Sequence, residues 1–116
     1  MRSDDARLLD MLIAARRISQ FTQSMTFADF ETHEMAQSAV IREFQVVGEA
    51  ARLISDKTKQ AHPQISWHVI AGMRNRLIHG YFAIRLDVVW QTAQDDIPVL
   101  IQQLESLVPS DEEDKG

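Results

Sequence analysis

The sequence contains no cysteine, only three prolines and four glycines, and no long apolar run. Without cysteine, neither a disulfide framework nor a thiolate metal site is possible. The glycines are scattered along the chain, which excludes the glycine-rich loops that hold nucleotide phosphates. No apolar run reaches membrane-spanning length, and residues 1–5 lack the apolar region of a signal peptide. We therefore expect a cytoplasmic protein with no membrane contact.

The composition is that of a folded domain. In a chain of 116 residues, 45% are apolar and 25% are charged, which is ordinary for a globular protein and unlike a disordered one. This length supports one domain around one core. We predict a helical domain over residues 1–109, followed at 110–116 by an acidic, disordered tail.

Apolar residues recur at helical spacing along most of the chain, and no β-type alternation is present. The pattern predicts an all-α bundle of four main helices joined by short connecting turns. The core-facing residues are Leu8, Leu12, Ala15, Ile18, Phe21 and Met25 in the first helix, Met35, Ala39, Val40, Phe44, Val47, Ala51 and Ile54 in the second (about 32–54), and Val89, Trp90, Ala93, Ile97, Leu100, Ile101 and Leu104 in the last. Pro98 lies within this last stripe and is expected to kink or split its helix.

Polar residues mark where helices begin. Ser3, Ser66 and Asp87 stand in positions typical of N-caps. Thr26 and Asp29 have the spacing of a capping box, in which each side chain accepts from the other residue's backbone. We therefore expect a short turn near residue 26 to redirect the chain between the first two long helices.

Gly48, Ala50 and Ala51 form a strip of small residues on the second long helix. Such a strip lets another helix approach closely. The approaching helix could belong to a second copy of the chain, or the strip could serve routine packing within one copy.

The third main helix is predicted to begin near Trp67 and to end at an unusual sequence. Ile70, Met73 and Leu77 follow the spacing of a buried helical stripe. Gly80 supplies the residue that tolerates the left-handed turn after a helix end. His79 would then lie in the last turn, where the helix dipole favours a protonated imidazole.

The side chains best suited to binding or catalysis lie at the end of this helix and are Arg74, Asn75, His79 and Tyr81. Arg74 precedes His79 by five positions, which places them about 140° apart around a straight helix. They do not form a tight pair within one chain unless the helix end is distorted.

The net charge of −5 argues against a nucleic-acid binder, but the charges are unevenly distributed. Between residues 52 and 86 there are six basic residues and one acid, Asp56, whereas residues 1–51 carry five basic and eight acidic residues. The positive window indicates a confined anionic ligand site, with Arg52 and Arg76 as candidate phosphate contacts. The alternative is that these charges are spread over a solvated surface.

The histidines do not indicate a metal site, because none are spaced as helical ligands and few carboxylates lie near them. We therefore expect neither a metal nor another cofactor. A purely structural interpretation of the motif is also open. In it, Arg74 pairs with a carboxylate such as Glu49. His79 caps carbonyl groups and Tyr81 packs its ring.

The order of the motif residues resembles the R-x4-H-x-Y signature of the HEPN superfamily, in its HepT-like (DUF86) branch. The resemblance extends from about Arg7 to Val108. The other segments typical of that family are Arg7–Leu12, Val47–Ala51, His62–Pro63 and Ile70–Asn75. The sequence does not depart from the family's motif.

The resemblance implies a HEPN-type bundle and a toxin of a toxin–antitoxin pair that acts as a metal-independent endoribonuclease. It further implies a homodimer in which the motifs of two chains share a composite site. The partner would be a small MntA-like nucleotidyltransferase that transfers AMP to Tyr81 and silences the toxin.

The residue chemistry agrees with this expectation. Cleavage of RNA without a metal needs a base for the 2′-hydroxyl, an acid for the leaving oxygen and a cation for the phosphorane. Imidazole titrates near neutral pH, so His79 can transfer protons. Arg74 can donate to the phosphate, and Asn75 can orient the phosphate or the imidazole.

Two other functions stay open. A binding module would use the same cleft to hold a nucleotide or a partner without cutting RNA. A structural protein would be a helical dimer whose basic window docks an acidic protein.

Overall fold

The computed structural model describes residues 3–79 and 83–108, except for the side chains of Arg74, Ile78, His79 and Ala83. The bundle is built from three long helices, α1 (Asp4–Thr22), α3 (Glu34–Leu53) and α7 (Leu86–Glu105). The shorter helices are α2 (Phe27–Glu31), α4 (Asp56–Ala61), α5 (Trp67–Ala71) and α6 (Met73–Leu77). Two strands of two residues each, β1 (Ile78–His79) and β2 (Ala83–Ile84), pair antiparallel between α6 and α7.

The all-α prediction is confirmed, with α1 packed along both α3 and α7. The largest fully buried side chains include Phe30, Phe44, Met11, Ile18, Ile97 and Leu104. The four-helix count needs one correction, because the third predicted helix is divided into α5 and α6. The predicted acidic tail at 110–116 lies outside the described residues.

Two of the predicted caps are confirmed in full. Ser3 Oγ accepts a hydrogen bond from the backbone N–H of Ala6 at 3.2 Å and begins α1. The capping box of α2 is present, with both reciprocal bonds between Thr26 and Asp29 at 3.0 and 3.1 Å. These bonds satisfy N–H groups that the first turn of a helix leaves unpaired.

The other two cap predictions were less accurate. Ser66 does precede α5, but its side chain makes no capping bond. Asp87 lies in the first turn of α7, and Arg85 occupies the N-cap position. Asp87 instead accepts hydrogen bonds from Arg85 at 3.1 and 3.2 Å, so a local ion pair has replaced the expected cap.

Two of the predicted core positions are exposed. Met35 is 80% exposed, because the buried stripe of α3 continues from Val40 back to Ala36 rather than to Met35. Phe21 is 39% exposed, and Thr22 is buried in its place. The Thr22 hydroxyl donates to the carbonyl of Ile18 at 2.9 Å, which allows a polar side chain to occupy this position.

Pro98 does not split the last helix, since α7 runs without interruption from Leu86 to Glu105. Proline removes only one N–H from the hydrogen-bond ladder. Ile97 and Leu100 are buried on either side of it, and their packing holds both halves of α7 against the core. None of the described helices combines the length and the apolar character needed to cross a membrane.

One polar cluster ties the beginning of α1 to the beginning of α4. The Asp4 carboxylate accepts hydrogen bonds from the Ser55 hydroxyl and backbone N–H, and from the Thr58 hydroxyl at 2.6 Å. The hydroxyl bond from Ser55, followed by the one from Thr58, lowers the pKa of Asp4 below its ordinary value. The cluster therefore favours the ionised carboxylate in the folded state.

Replacing Asp4 with alanine is expected to lower the free energy of unfolding by about 1 kcal/mol at neutral pH, a small value because the cluster lies near solvent. A folded-state pKa below the unfolded value means that the stabilisation is present above the unfolded pKa of about 3.9 and is lost as the pH falls through the folded pKa. Denaturant unfolding of the wild type and of Asp4→Ala, repeated from neutral pH to below about pH 3.9, measures the difference in their free energies of unfolding. Asp5→Ala is the matched control, because Asp5 also lies in the first turn of α1. Equal losses in the two variants would show that the helix dipole, not the cluster, is responsible.

Candidate functional site

The motif segment is a helix, a break, a second helix and a strand, not the single helix that was predicted. α5 ends at Ala71, and Gly72 follows it as the C-cap. The carbonyl of Gly72 then accepts from the backbone N–H groups of Asn75 at 3.1 Å and Arg76 at 3.3 Å, which begins α6. The apolar spacing that predicted one helix continues through a glycine of poor helix propensity, and the break occurs there.

His79 lies in β1, paired with Ala83, and not in the last turn of a helix. α6 ends at Leu77, whose carbonyl accepts from the backbone N–H of Arg85 at 3.1 Å. That bond uses an acceptor that a helix end would leave free. The expected dipole effect on His79 and its 140° separation from Arg74 both assumed that the helix reaches residue 79, and that assumption was wrong.

The motif helices are held firmly against the rest of the bundle. Met73 and Leu77 are 3% and 1% exposed, and the Trp67 indole N–H donates to the carbonyl of His62 at 3.0 Å. These contacts fix the backbone of α6 between α3 and α7. The backbone of Arg74 lies within this fixed segment.

The small-residue strip on α3 is what allows this close packing. A Cβ atom at Gly48 would lie 3.4 Å from the carbonyl oxygen of Ile70 and 3.5 Å from that of Ala71. Gly48 therefore lies directly against the end of α5 in the same chain. The routine-packing interpretation of the strip is confirmed, and the strip gives no support for contact with a second copy.

The polar side chains of α6 that the structure describes are accessible. Asn75 is exposed, and Arg76 is exposed on the side of α6 that faces α7. The Nη2 atom of Arg76 lies 3.8 Å from Oδ2 of Asp96, a loose ion pair rather than a hydrogen bond. Gly80 and Tyr81, like the His79 side chain, lie outside the described part of the chain.

Arg52, the other candidate phosphate contact, is paired with Glu49 through two hydrogen bonds of 2.7 and 3.2 Å. These bonds hold the pKa of Glu49 below its ordinary value and raise that of Arg52. Glu49 was the carboxylate considered as a structural partner for Arg74, and among the described side chains its oxygens accept from Arg52.

The basic window of the sequence does not form a purely positive surface. Arg52, Arg76 and Arg85 each lie against a carboxylate from outside the window, Glu49, Asp96 and Asp87 respectively. Two of these acids adjoin the ends of the window in the sequence, whereas Asp96 reaches Arg76 only through the packing of α6 on α7.

A groove of about 380 Å³ runs between the motif helices and α7 and was not predicted from the sequence. Its lining residues are Gln64, Ser66, Val69, Ile70, Met73, Arg76, Asp96, Ile97, Val99, Leu100 and Gln103. We call it the α5–α7 groove. The sequence did offer one signal, since the polar residues Asp96 and Gln103 share a face of α7, but it could not show which helix that face adjoins.

The described side chains form no group of three or more histidine, aspartate or glutamate residues that could hold a metal ion. Asn75 offers an amide and Arg76 a cation, both exposed on α6. This helix lies immediately before the strand that carries the motif histidine. Such an arrangement can bind a phosphate and present it for proton transfer.

Residues 11–107 of the chain match the family model described as ribonuclease HepT-like. A probable ribonuclease HepT of Thermococcus cleftensis is 40% identical over 106 residues, covering 91% of this chain and 96% of that protein. A Methanocaldococcus jannaschii protein named as a candidate RNase, MJ1380, is 33% identical over 104 residues, covering 90% of this chain and 95% of its own length. No solved structure matches. With a family model covering most of the chain and relatives aligned over nearly their whole length, the chain belongs to the HepT-like family of ribonucleases.

Proposed function

We propose that the chain is the toxin of a toxin–antitoxin pair, a metal-independent endoribonuclease that cuts RNA at a composite site in a dimer cleft. The observation that carries the proposal is the motif Arg74-Asn75-x3-His79-x-Tyr81 in a chain of the HepT-like family. The motif begins on α6, which buried side chains hold in place. A catalytic arginine and amide need such a rigid base.

The reaction assigns one role to each group. A base takes the proton of the ribose 2′-hydroxyl, whose oxygen then bonds to the adjacent phosphorus. The bond from phosphorus to the 5′-oxygen breaks, and an acid protonates that oxygen. His79 supplies the imidazole for these transfers, Arg74 stabilises the charge on the phosphorane, and Asn75 orients the phosphate or the imidazole.

Two histidines are needed if acid and base act together, and one motif supplies one imidazole. A second copy of the chain therefore completes the site, with the two motifs facing each other. Because α5 of the same chain covers the Gly48 strip, the contact between copies must use another surface.

RNA cleavage in the presence of excess chelator tests the enzymatic part of the proposal. Purified protein is incubated with RNA after removal of divalent ions, and the fragments are resolved on a gel. Cleavage that survives chelation supports the nuclease. RNA or nucleotide binding without any cleavage would instead support a non-catalytic binding module.

The dimer is tested separately. We expect light scattering at micromolar protein concentration to give the mass of two chains. Adding an excess of His79→Ala chains to the wild type should suppress cleavage, because a mixed dimer holds one imidazole where the shared site needs two. A monomer with full activity on RNA would contradict the shared site.

The regulatory part concerns the partner. We propose that an MntA-like nucleotidyltransferase transfers AMP to Tyr81, the only tyrosine in the sequence. Growth inhibition by the chain alone, and its relief by co-expression of the enzyme encoded beside it, would support a toxin–antitoxin pair. A chain that does not inhibit growth would contradict the toxin role without excluding the nuclease.

A further inference from the structure

The α5–α7 groove has the form of a small-molecule subsite, with an apolar middle and polar ends. Its volume of about 380 Å³ falls at the lower end of the range for ligand pockets, roughly 300–1,000 Å³. Val69 on α5 is 43% exposed and Val99 on α7 is 52% exposed, so each helix contributes an apolar wall that is open to solvent. A flat apolar group entering the groove would cover both.

Each end of the groove is polar. At one end the Gln103 amide donates to the carbonyl of Gln64 at 3.1 Å. At the other end Arg76 and Asp96 face each other at 3.8 Å. Asp96 and Gln103 are seven residues apart on α7, about 10 Å along a helix that rises 1.5 Å per residue.

The Arg76 end of the groove adjoins the motif. Met73 and Arg76 line the groove and flank Arg74 and Asn75 on the short helix α6, so this end of the groove lies on the helix where the motif begins. If the motif holds the scissile phosphate of an RNA chain, the neighbouring nucleotide can place its base in the groove. Proteins read single-stranded RNA in this way, with bases splayed into pockets and bonded along their Watson–Crick edges.

Asp96 restricts which base can be accommodated. An ionised carboxylate only accepts hydrogen bonds, so the base must present donors. Guanine offers two adjacent donors, N1–H and the N2 amino group, which match the two carboxylate oxygens. Uracil offers a single N–H between two carbonyl oxygens, which the carboxylate repels.

A base that binds Asp96 would replace Arg76 at the carboxylate. Because the ion pair between Arg76 and Asp96 is loose, this replacement costs little free energy. Their side chains are 45% and 57% exposed, and exposed pairs at such distances contribute little to stability. A guanine that binds Asp96 releases Arg76 to contact a phosphate of the same RNA. Binding of the base and binding of the backbone would therefore support each other.

We propose that the α5–α7 groove is a base-binding subsite that holds a guanine of the RNA beside the scissile phosphate, with Asp96 recognising its Watson–Crick edge. The assignment to RNA rests on the proposed nuclease function. The groove, its walls and its acceptor belong to the described structure.

Methyl NMR of Val69 and Val99 tests the subsite directly. The protein is titrated with guanosine 3′-monophosphate and, in parallel, with uridine 3′-monophosphate. We expect both methyl groups to shift with the guanosine nucleotide at concentrations about 10- to 100-fold lower than with the uridine nucleotide, the discrimination that a bidentate base contact provides.

Asp96→Asn is expected to lose this preference, because its amide presents one acceptor and a donor that opposes the N1–H of guanine. Asp95→Asn is the matched control, since Asp95 is the neighbouring acid on α7, accepts from Gln91 and does not line the groove. The control should keep the preference of the wild type. Equal behaviour of the two variants would overturn the role of Asp96.

Cleavage of an RNA pool by the same proteins separates this inference from the nuclease proposal. Wild type should cut with a guanine preference at one position beside the cleaved bond, and Asp96→Asn should cut without it. Cleavage with an unaltered preference in Asp96→Asn would refute the subsite and leave the nuclease standing. Nucleotide-induced methyl shifts without any cleavage would refute the nuclease and retain the base site. If no nucleotide shifts the Val69 and Val99 methyl groups, the groove is not a base site; shifts caused only by a protein partner would assign it to that partner.

Discussion

Replacing His79 with alanine is expected to abolish RNA cleavage and growth inhibition while the bundle stays folded. General acid–base catalysis by a histidine contributes about 10²–10⁴-fold, and the loss should approach or exceed this range if both copies of a dimer lose their imidazole. The bundle should survive because the core of α6 ends at Leu77, before β1 begins. Initial cleavage rates on a single RNA, with helicity and thermal unfolding recorded for each protein, measure both parts.

His68→Ala is the control for this experiment. His68 lies on α5, in the same basic window, and is exposed. Its removal should change the cleavage rate little. Unchanged toxicity of a well-expressed His79 variant would refute the catalytic assignment, and equal losses in both variants would indicate a general electrostatic effect rather than proton transfer.

Replacing Tyr81 with phenylalanine is expected to preserve most of the cleavage activity but to prevent silencing by an AMP-transferring partner. The added phosphodiester carries about one negative charge, and such a charge 4 Å from a cation is attracted by about 4 kcal/mol at an effective dielectric constant of 20, before desolvation. The cations of the motif would be engaged by the attached phosphate, and the nucleotide would occupy the space that RNA needs. Inhibition would combine occlusion with charge neutralisation.

Mass spectrometry of the co-expressed pair measures this modification. Wild-type protein should gain the mass of AMP on Tyr81, and the phenylalanine variant should not. Growth curves with and without the partner give the biological result. If the partner silences both proteins equally and neither carries AMP, inhibition arises from binding alone.

Much of the fold could be predicted from the sequence because its signals are local. The caps at Ser3 and Thr26 depend on a few neighbouring residues, and both were located correctly. The buried stripes of α1, α3 and α7 follow from helical periodicity, and only their first or last members, such as Met35 and Phe21, were misplaced. At the end of a helix the neighbouring element determines burial, and the sequence of the helix does not contain that information.

The candidate site was harder to predict for the same reason. The order of its residues identified the family, but not the geometry of the segment that carries them. Ile70, Met73 and Leu77 are all buried, as they would be in a continuous helix. The helix is nevertheless interrupted at Gly72, between Ile70 and Met73. The strand pair that receives His79 depends on Ala83, four residues further along, and contains only two residues in each strand. Patterns this short carry no recognisable alternation.

The pairing of charges was invisible for a different reason. Asp96 lies twenty residues beyond Arg76, and only the packing of α6 on α7 brings the two together. Counting the charged residues between 52 and 86 gives their order along the chain, whereas a ligand responds to their positions in the folded protein. Asp96 and Asp87 on α7 lie against Arg76 and Arg85, so less of the surface near the motif is positively charged than the count along the chain suggests.

The contact at Gly48 makes the location of the candidate site depend on the volume of one side chain far along the chain from the motif. The carbonyl oxygens of Ile70 and Ala71 lie at ordinary contact distance from where a methyl group would stand, so alanine fits there with almost no room left. Any larger side chain must push the end of α5 away from α3 and carry the motif backbone with it. Position 48 therefore works as a spacer, because the side-chain volume there sets how closely α5 and the motif backbone approach α3. A variant with a side chain larger than alanine at position 48 would remain helical and keep every motif residue, yet it would present them in the wrong place.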